Sequence, residues 1–223
     1  MKIGYRVCYL ILILLLFGCE KESSRFGRFI DKRDGKIYRT VKIGEQVWMA
    51  ENLAYRADTG CLAYEEDESN MKIYGYLYNW ETACEVCPEG WILPSDDDWK
   101  ILEEFIGMSS EELDLQGPTY RGEGLAGLLK VVGHSDWEKN NEDATNSTGF
   151  SALPAGSIYY PYPWDYMFFG KGEWTVWWTS TDSYNYGYYS RVIKSTHDTN
   201  GIYRFRSNYN TDFYSVRCIK DVN

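Results

Sequence analysis

The sequence predicts an α+β domain held by disulfides, on three observations. Apolar residues recur at helical spacing only in the first half of the chain. From Ser151 onward, short aromatic runs alternate with turns rich in Asn, Ser and Gly, the pattern of strands. Four cysteines, an even set, follow an apolar leader, which places them in an oxidising compartment. The 223 residues allow one domain with a sizeable core. With 44% hydrophobic and 17% aromatic residues, the chain has too much to bury to be disordered. A net charge of −10 argues against a nucleic-acid partner, which needs a basic face. Only His134 and His197 occur, which removes zinc sites built on several histidines.

Residues 1–18 read as a lipoprotein signal peptide. Lys2 and Arg6 give a short positive region, and Val7 to Phe17 is an apolar run well short of the roughly 20 residues of a membrane span. Leu16-Phe17-Gly18-Cys19 then has the form of a lipidation site. Gly18 is small enough for a peptidase to reach the bond, and the Cys19 thiolate takes the lipid. Phe17 is bulkier than usual at its position, and an ordinary secretory signal with an incidental Cys is the plainer alternative. Cleavage removes Lys2 and Arg6 and leaves 21 basic against 33 acidic side chains, a mature charge of −12. Glu20-Lys21-Glu22-Ser23-Ser24 resembles the cluster that sends such lipoproteins to the outer face of the outer membrane, or is a solvated linker. Residues 19–30 are read as the lipid-anchored tether and 31–223 as the domain. The expected location is the cell envelope, with a membrane partner reached through the lipid.

Along the domain, Asp34-Gly35 signals a turn. Ile37, Val41 and Ile43 alternate with polar positions, Gly44-Glu45 turns, and Gln46 to Asn52 returns as the second strand of a hairpin. Residues 57–72 read as a loop carrying Glu65-Glu66-Asp67-Glu68. Tyr76 to Glu85 has Leu77, Trp80 and Cys84 at helical spacing. The clearest helix spans 96–106: Ser95 caps it, Asp96, Asp97 and Asp98 occupy its positive first turn, and Gly107 follows it. Trp99, Leu102 and Ile106 share its apolar face, with Phe105 flanking. Leu125 to Val132 reads as a second amphipathic helix, and 133–150 as a loop.

Of six cysteines, Cys8 leaves with the signal peptide and Cys19 is the anchor. Cys61, Cys84, Cys87 and Cys218 admit three pairings. The preferred set is Cys87–Cys218, tying the first helical region to the last strand, with Cys61–Cys84. Cys84-x-x-Cys87 follows a helical stretch instead of opening one, unlike a redox motif.

Five strings together resemble the Fibrobacter succinogenes major paralogous domain of bacterial lipoproteins. They are Tyr38-x-Thr40-Val41-x-Ile43-Gly44-x-Gln46-x-Trp48-Met49-Ala50-Glu51-Asn52-Leu53; Leu77-Tyr78-Asn79-Trp80 with Cys87-Pro88-x-Gly90-Trp91-x-Leu93-Pro94-Ser95-x-x-Asp98-Trp99; Asn146-Ser147-Thr148-Gly149-Phe150-Ser151-Ala152-Leu153-Pro154-Ala155-Gly156; Trp177-Trp178-Thr179-Ser180-Thr181; and Ser215-Val216-Arg217-Cys218-Ile219-Lys220. The resemblance implies a C-type-lectin-like fold, two main helices packed on a looped antiparallel sheet. Such domains commonly tie an early helix to the last strand by a disulfide, in agreement with Cys87–Cys218. Relatives often carry a second Cys near residue 71. Met71 stands there in this chain, which leaves Cys84 as the partner for Cys61.

No catalytic constellation emerges, and no cofactor is implied. Adjacent His134-Ser135-Asp136 cannot adopt triad geometry. The sugar-binding calcium motifs of some lectin-like domains do not occur, and a metal requirement stays open. A related branch of the fold holds the formylglycine-generating enzymes, whose reactive Cys pair fits poorly with cysteines read as structural. The C-terminal segment is more suggestive: residues 159–223 hold eleven of the twenty Tyr. Tyr beside Asn, Ser and Gly is the chemistry of binding loops. The expected ligand site is therefore Tyr184, Asn185, Tyr186, Tyr188, Tyr189, Tyr203, Asn208 and Tyr209, for a glycan or a cell-surface protein. A structural envelope component with all these rings buried is the alternative.

Overall fold

In the computed structural model, residues 24–116, 120–133, 135–138, 141–160, 165–183, 187–195, 200–207 and 211–222 are described. The expected hairpin forms from β2 (Ile37–Ile43) and β3 (Gln46–Met49), with Ile43 opposite Gln46. Its two-residue turn requires a positive φ, supplied by Gly44 at 59°. β1 (Phe26–Ile30) adds antiparallel to β2 inside the span read as tether. Phe29 explains it: its ring stacks on Tyr38 at 5.3 Å and on Trp91 at 4.5 Å, contacts that a local reading of a basic segment does not show.

The middle of the chain departs most from expectation. Within the predicted loop lie β4 (Cys61–Leu62), a 3-10 turn at Tyr64–Glu66, and α1 (Glu68–Tyr74). Asp67 caps α1 by accepting from Ser69 N at 2.8 Å. Leu77 and Tyr78 stay extended as β5 (Leu77–Tyr78), so α2 is only Trp80–Glu85, started by Asn79 Oδ1 accepting from Thr82 N. β6 (Trp91–Ile92) precedes α3 (Asp96–Phe105), which begins as expected at Ser95, in a reciprocal capping box with Asp98. α4 (Ser110–Leu113) and α5 (Leu125–Leu129) follow, α5 ending before Lys130. These are the five α-helices among the described residues.

The remaining strands are β7 (Ala155–Tyr159), β8 (Met167–Lys171), β9 (Trp174–Asp182), β10 (Tyr188–Lys194), β11 (Tyr203–Ser207), β12 (Asp212–Ser215) and β13 (Ile219–Lys220). One sheet runs β1-β2-β3-β13-β6 and the other β11-β10-β9-β7-β12-β5-β4, with β8 beside β7. Pairing is antiparallel except for single parallel contacts of β9 with β7 and β12. The result is a mixed α and β domain dominated by sheet.

The two largest of three buried clusters flank the larger sheet. Strand alternation sends Trp178 to one, with Tyr78, Val192 and Tyr214, and Trp177 to the other, with Trp99 of α3, Phe150 and Leu129 of α5. The scattered strings meet in a buried knot between them. Asn52 Oδ1 accepts from Trp177 Nε1 at 2.9 Å and from Arg217 Nε and Nη2 at 3.1 and 2.6 Å. Arg217 also donates to the Phe150 carbonyl and lies over the Phe150 ring. Burial pushes its guanidinium down to about 9. A second polar knot binds α3 to β10 and β11. Asp96 takes Arg191 at 2.8 Å and Arg204 at 2.7 Å, and Glu103 takes Arg121 and Arg191 at 2.7 and 2.6 Å. Asp96 therefore does more than charge a helix terminus. Lys130, 3% exposed, lies with its ammonium 4.9 Å from the Trp137 ring centroid. Burial pushes it down to about 8, against the pull of Asp143.

Cys87 and Cys218 form the expected disulfide. Cys61 and Cys84 are free, which corrects their expected pairing. Thr82 Oγ1 donates to the Thr59 carbonyl at 3.2 Å, so that side of α2 faces the chain at Cys61. Cys84, two residues on, lies roughly 200° around the helix axis and is exposed. Cys61 is half-buried in β4 and its thiol donates to the Ala57 carbonyl at 3.5 Å.

Candidate functional site

β9, β10 and β11 present alternate side chains to each face of the sheet. Lys194 stands opposite Trp174, Val192 stands between Val176 and Tyr203, and Ser190 faces Phe205. Direct partners in a ladder share a face. With Tyr214 of β12 and Ser157 of β7, these residues, the buried Ser190 apart, line a groove of about 270 Å³. Its floor is core, since Val176, Val192, Tyr203 and Tyr214 belong to the first cluster. Its wall is open, because Phe205 is 45% exposed. Phe169 stands opposite Ser157 and Met167 opposite Tyr159, so β8 continues an exposed apolar surface beside the groove.

The groove is held in place locally. Trp174 lies over Gly170 at the β8–β9 turn, where any Cβ would collide with the indole. Its Nε1 donates to Ser157 Oγ at 3.3 Å. Tyr214 packs at a tilt against Trp178, centroids 4.3 Å apart, and donates its hydroxyl to Asp212 at 2.9 Å. Burial, with Asp212, pushes the Tyr214 phenol well above its usual value, so it stays a neutral donor. The Lys194 ammonium lies 5.7 Å from the Trp174 centroid and 5.3 Å from that of Tyr203. This set can stack on a flat ligand, exchange hydrogen bonds through Ser157, and attract an anion.

Of the residues expected at the site, Tyr203 alone among the described ones lines this groove, at 9% exposure. Tyr188 is half-buried and stacks flat on Trp80, with centroids 3.3 Å apart. Tyr189 is buried on the opposite face, beneath Arg204 at 3.8 Å, and its hydroxyl accepts from Gln116. It is structural, contrary to its expected role. Cys19, Tyr184, Asn185, Tyr186, Asn208 and Tyr209 lie outside the described residues, as do His134 and His197. Sequence reading missed Trp174, Phe205, Tyr214, Lys194 and Ser157. Period-two alternation could have found part of the set, because 174 and 176, 192 and 194, and 203 and 205 each share a face.

The acidic run is engaged locally. Glu65 pairs with Lys171 at 3.0 Å, Asp67 caps α1, and Glu68 accepts from the Tyr76 hydroxyl at 2.8 Å. Among the described residues no three His, Cys, Asp or Glu are grouped to hold a metal. Nor, among them, is any helix long and apolar enough to cross a membrane.

The family model for the Fibrobacter succinogenes major domain matches residues 41–220. No curated protein and no solved structure matches the chain.

Proposed function

This chain belongs to the Fibrobacter succinogenes major domain family, and on that premise we propose that it is a lipid-anchored envelope protein displaying a C-type-lectin-like module that binds a glycan in the aromatic groove. The groove carries this reading: four aromatic rings, a hydroxyl and an ammonium converge on one solvent-open surface. Aromatic faces match the CH faces of sugars, and Phe205 stays exposed beside them. The Leu16 to Cys19 string supports the anchor, and the Cys87–Cys218 link from the first helical region to the last strand supports the lectin-like fold.

A glycan array probed with the purified protein tests the reading. Binding that is lost in Trp174→Ala supports it. Binding that survives Trp174→Ala and Phe205→Ala together overturns the groove as the site. Radiolabelled fatty acid incorporated by the wild type and not by Cys19→Ser tests the anchor.

The structural alternative is favoured by one observation: Tyr188 and Tyr189, of the Tyr-rich run, are engaged within the fold. Captured copies of the same chain, with no glycan bound, would select it. An enzyme of the formylglycine-generating type gains no support. Cys218 is in a disulfide, and desolvation with Glu85 pushes the Cys84 thiol up to about 11, the reverse of an activated nucleophile.

A further inference from the structure

The groove contains a charge that no carboxylate among the described residues answers. Lys194 makes no ion pair among the described residues, and its ammonium rests only against the rings of Trp174 and Tyr203. Several cations of the same domain are answered by carboxylates. Arg191 and Arg204 are paired with Asp96, Arg121 with Glu103, and Lys171 with Glu65. A half-buried ammonium held by ring quadrupoles alone keeps most of its capacity for an anion.

We propose that the groove selects an acidic sugar, a pyranose bearing a carboxylate, and that Lys194 is the residue that reads the acid. The inference rests on the groove being the ligand site. A pyranose stacked on Trp174 presents its ring carboxylate at its edge, where the ammonium stands beside the same indole. The acid then replaces solvent at Lys194 with a charge-assisted hydrogen bond, without disturbing the stack. Ser157 Oγ accepts from the Trp174 indole and keeps its own proton to donate to a sugar hydroxyl. The groove's volume of about 270 Å³ suits one ring, with the rest of the glycan running over Phe205.

The overall charge of −10 opposes an anionic ligand at long range. At physiological ionic strength that repulsion is screened beyond about 8 Å, while the contact pair is screened much less. The net charge therefore slows the encounter and leaves the selectivity to Lys194.

The experiment measures affinity of the purified protein by calorimetry for a panel of galacturonate, glucuronate and sialyl oligosaccharides, each paired with its methyl ester. The free acids should bind about tenfold tighter than their esters, the size of one half-exposed charge-assisted hydrogen bond. Lys194→Met should erase that ratio, so that acid and ester bind the variant alike. Equal affinity for acid and ester, or a preference that survives Lys194→Met, overturns the inference and leaves the groove standing. No binding across the panel overturns the inference, and binding that ignores Trp174→Ala overturns the groove as well. Near-ultraviolet circular dichroism of each variant, matching the wild type, shows that lost binding is not lost folding.

Discussion

Replacing Lys130 by Met should stabilise the protein at neutral pH, and the gain should shrink in alkali. Lys130 is 3% exposed, and its pKa is pushed down to about 8 from an ordinary 10.5. Each unit is worth about 1.4 kcal/mol, so holding this amine charged at pH 7 costs about 3 kcal/mol. The contact with Trp137 returns about 1 kcal/mol of that. Because the folded value is the lower one, the unfolded chain binds the extra proton between pH 8 and 10.5, and this group makes stability rise with pH there. Met keeps the volume and carries no proton. Urea unfolding of both proteins at pH 7 and pH 9.5 measures the gap. Met should lead by about 2 kcal/mol at pH 7 and by only about 1 kcal/mol at pH 9.5, one unit below the ordinary 10.5 of the unfolded amine. Comparing the two proteins at each pH cancels the buried tyrosines, such as Tyr38, whose raised pKa withdraws stability above about pH 10. A gap unchanged between the two pH values refutes the reasoning.

Other outcomes follow from the same structure. Burial would raise the Asp96 carboxyl, but Arg204 and Arg191 overrule it and hold it well below the usual range. Its stabilisation is complete above the ordinary value of 3.8 and drains as pH falls below it, so acid unfolding should begin under about pH 4. Asp96→Asn, which takes the only carboxylate partner given for Arg204 and leaves Arg191 with Glu103 alone, should cost roughly 3–5 kcal/mol at pH 7 by urea unfolding. Mass spectrometry after alkylation under denaturing, non-reducing conditions should label Cys61 and Cys84 and spare Cys87 and Cys218. Labelling of none would mean that the first two pair after all. Reduction of Cys87–Cys218 releases a loop of 131 residues and should destabilise by about 5 kcal/mol on the chain-entropy account, read as a lower urea midpoint.

What was legible in the sequence was what local rules determine. The 37–49 hairpin follows from alternation around Gly44, and α3 follows from Ser95 with Asp98 and one apolar face. Features decided by distant partners were hidden. β1 exists because Phe29 reaches Tyr38 and Trp91, and Asp96 is buried because Arg191 and Arg204 arrive from strands far along the chain. α1 was missed although its signals were present, Asp67 before it and Gly75 after it, because an acidic run also reads as solvated loop. For the site, Tyr density pointed at the right sheet, but of the described rings Tyr189 is on the opposite face and Tyr188 is taken up by Trp80. Tyr189 and Tyr203 stand in paired strands yet point to opposite sides, and composition carries no information about face. Trp174 and Lys194 lay outside the family strings, and alternation pairs each with a same-face neighbour without saying which face is open.

The central claim is that ligand stacks on Trp174. The indole N–H resonance of Trp174, assigned by its disappearance in Trp174→Phe, reports this when the protein is titrated with a glycan selected on the array. The account predicts that this resonance shifts with saturation, as the bond to Ser157 is perturbed, while those of buried Trp48 and Trp177 hold still. A glycan that binds and leaves the Trp174 resonance unmoved contradicts it.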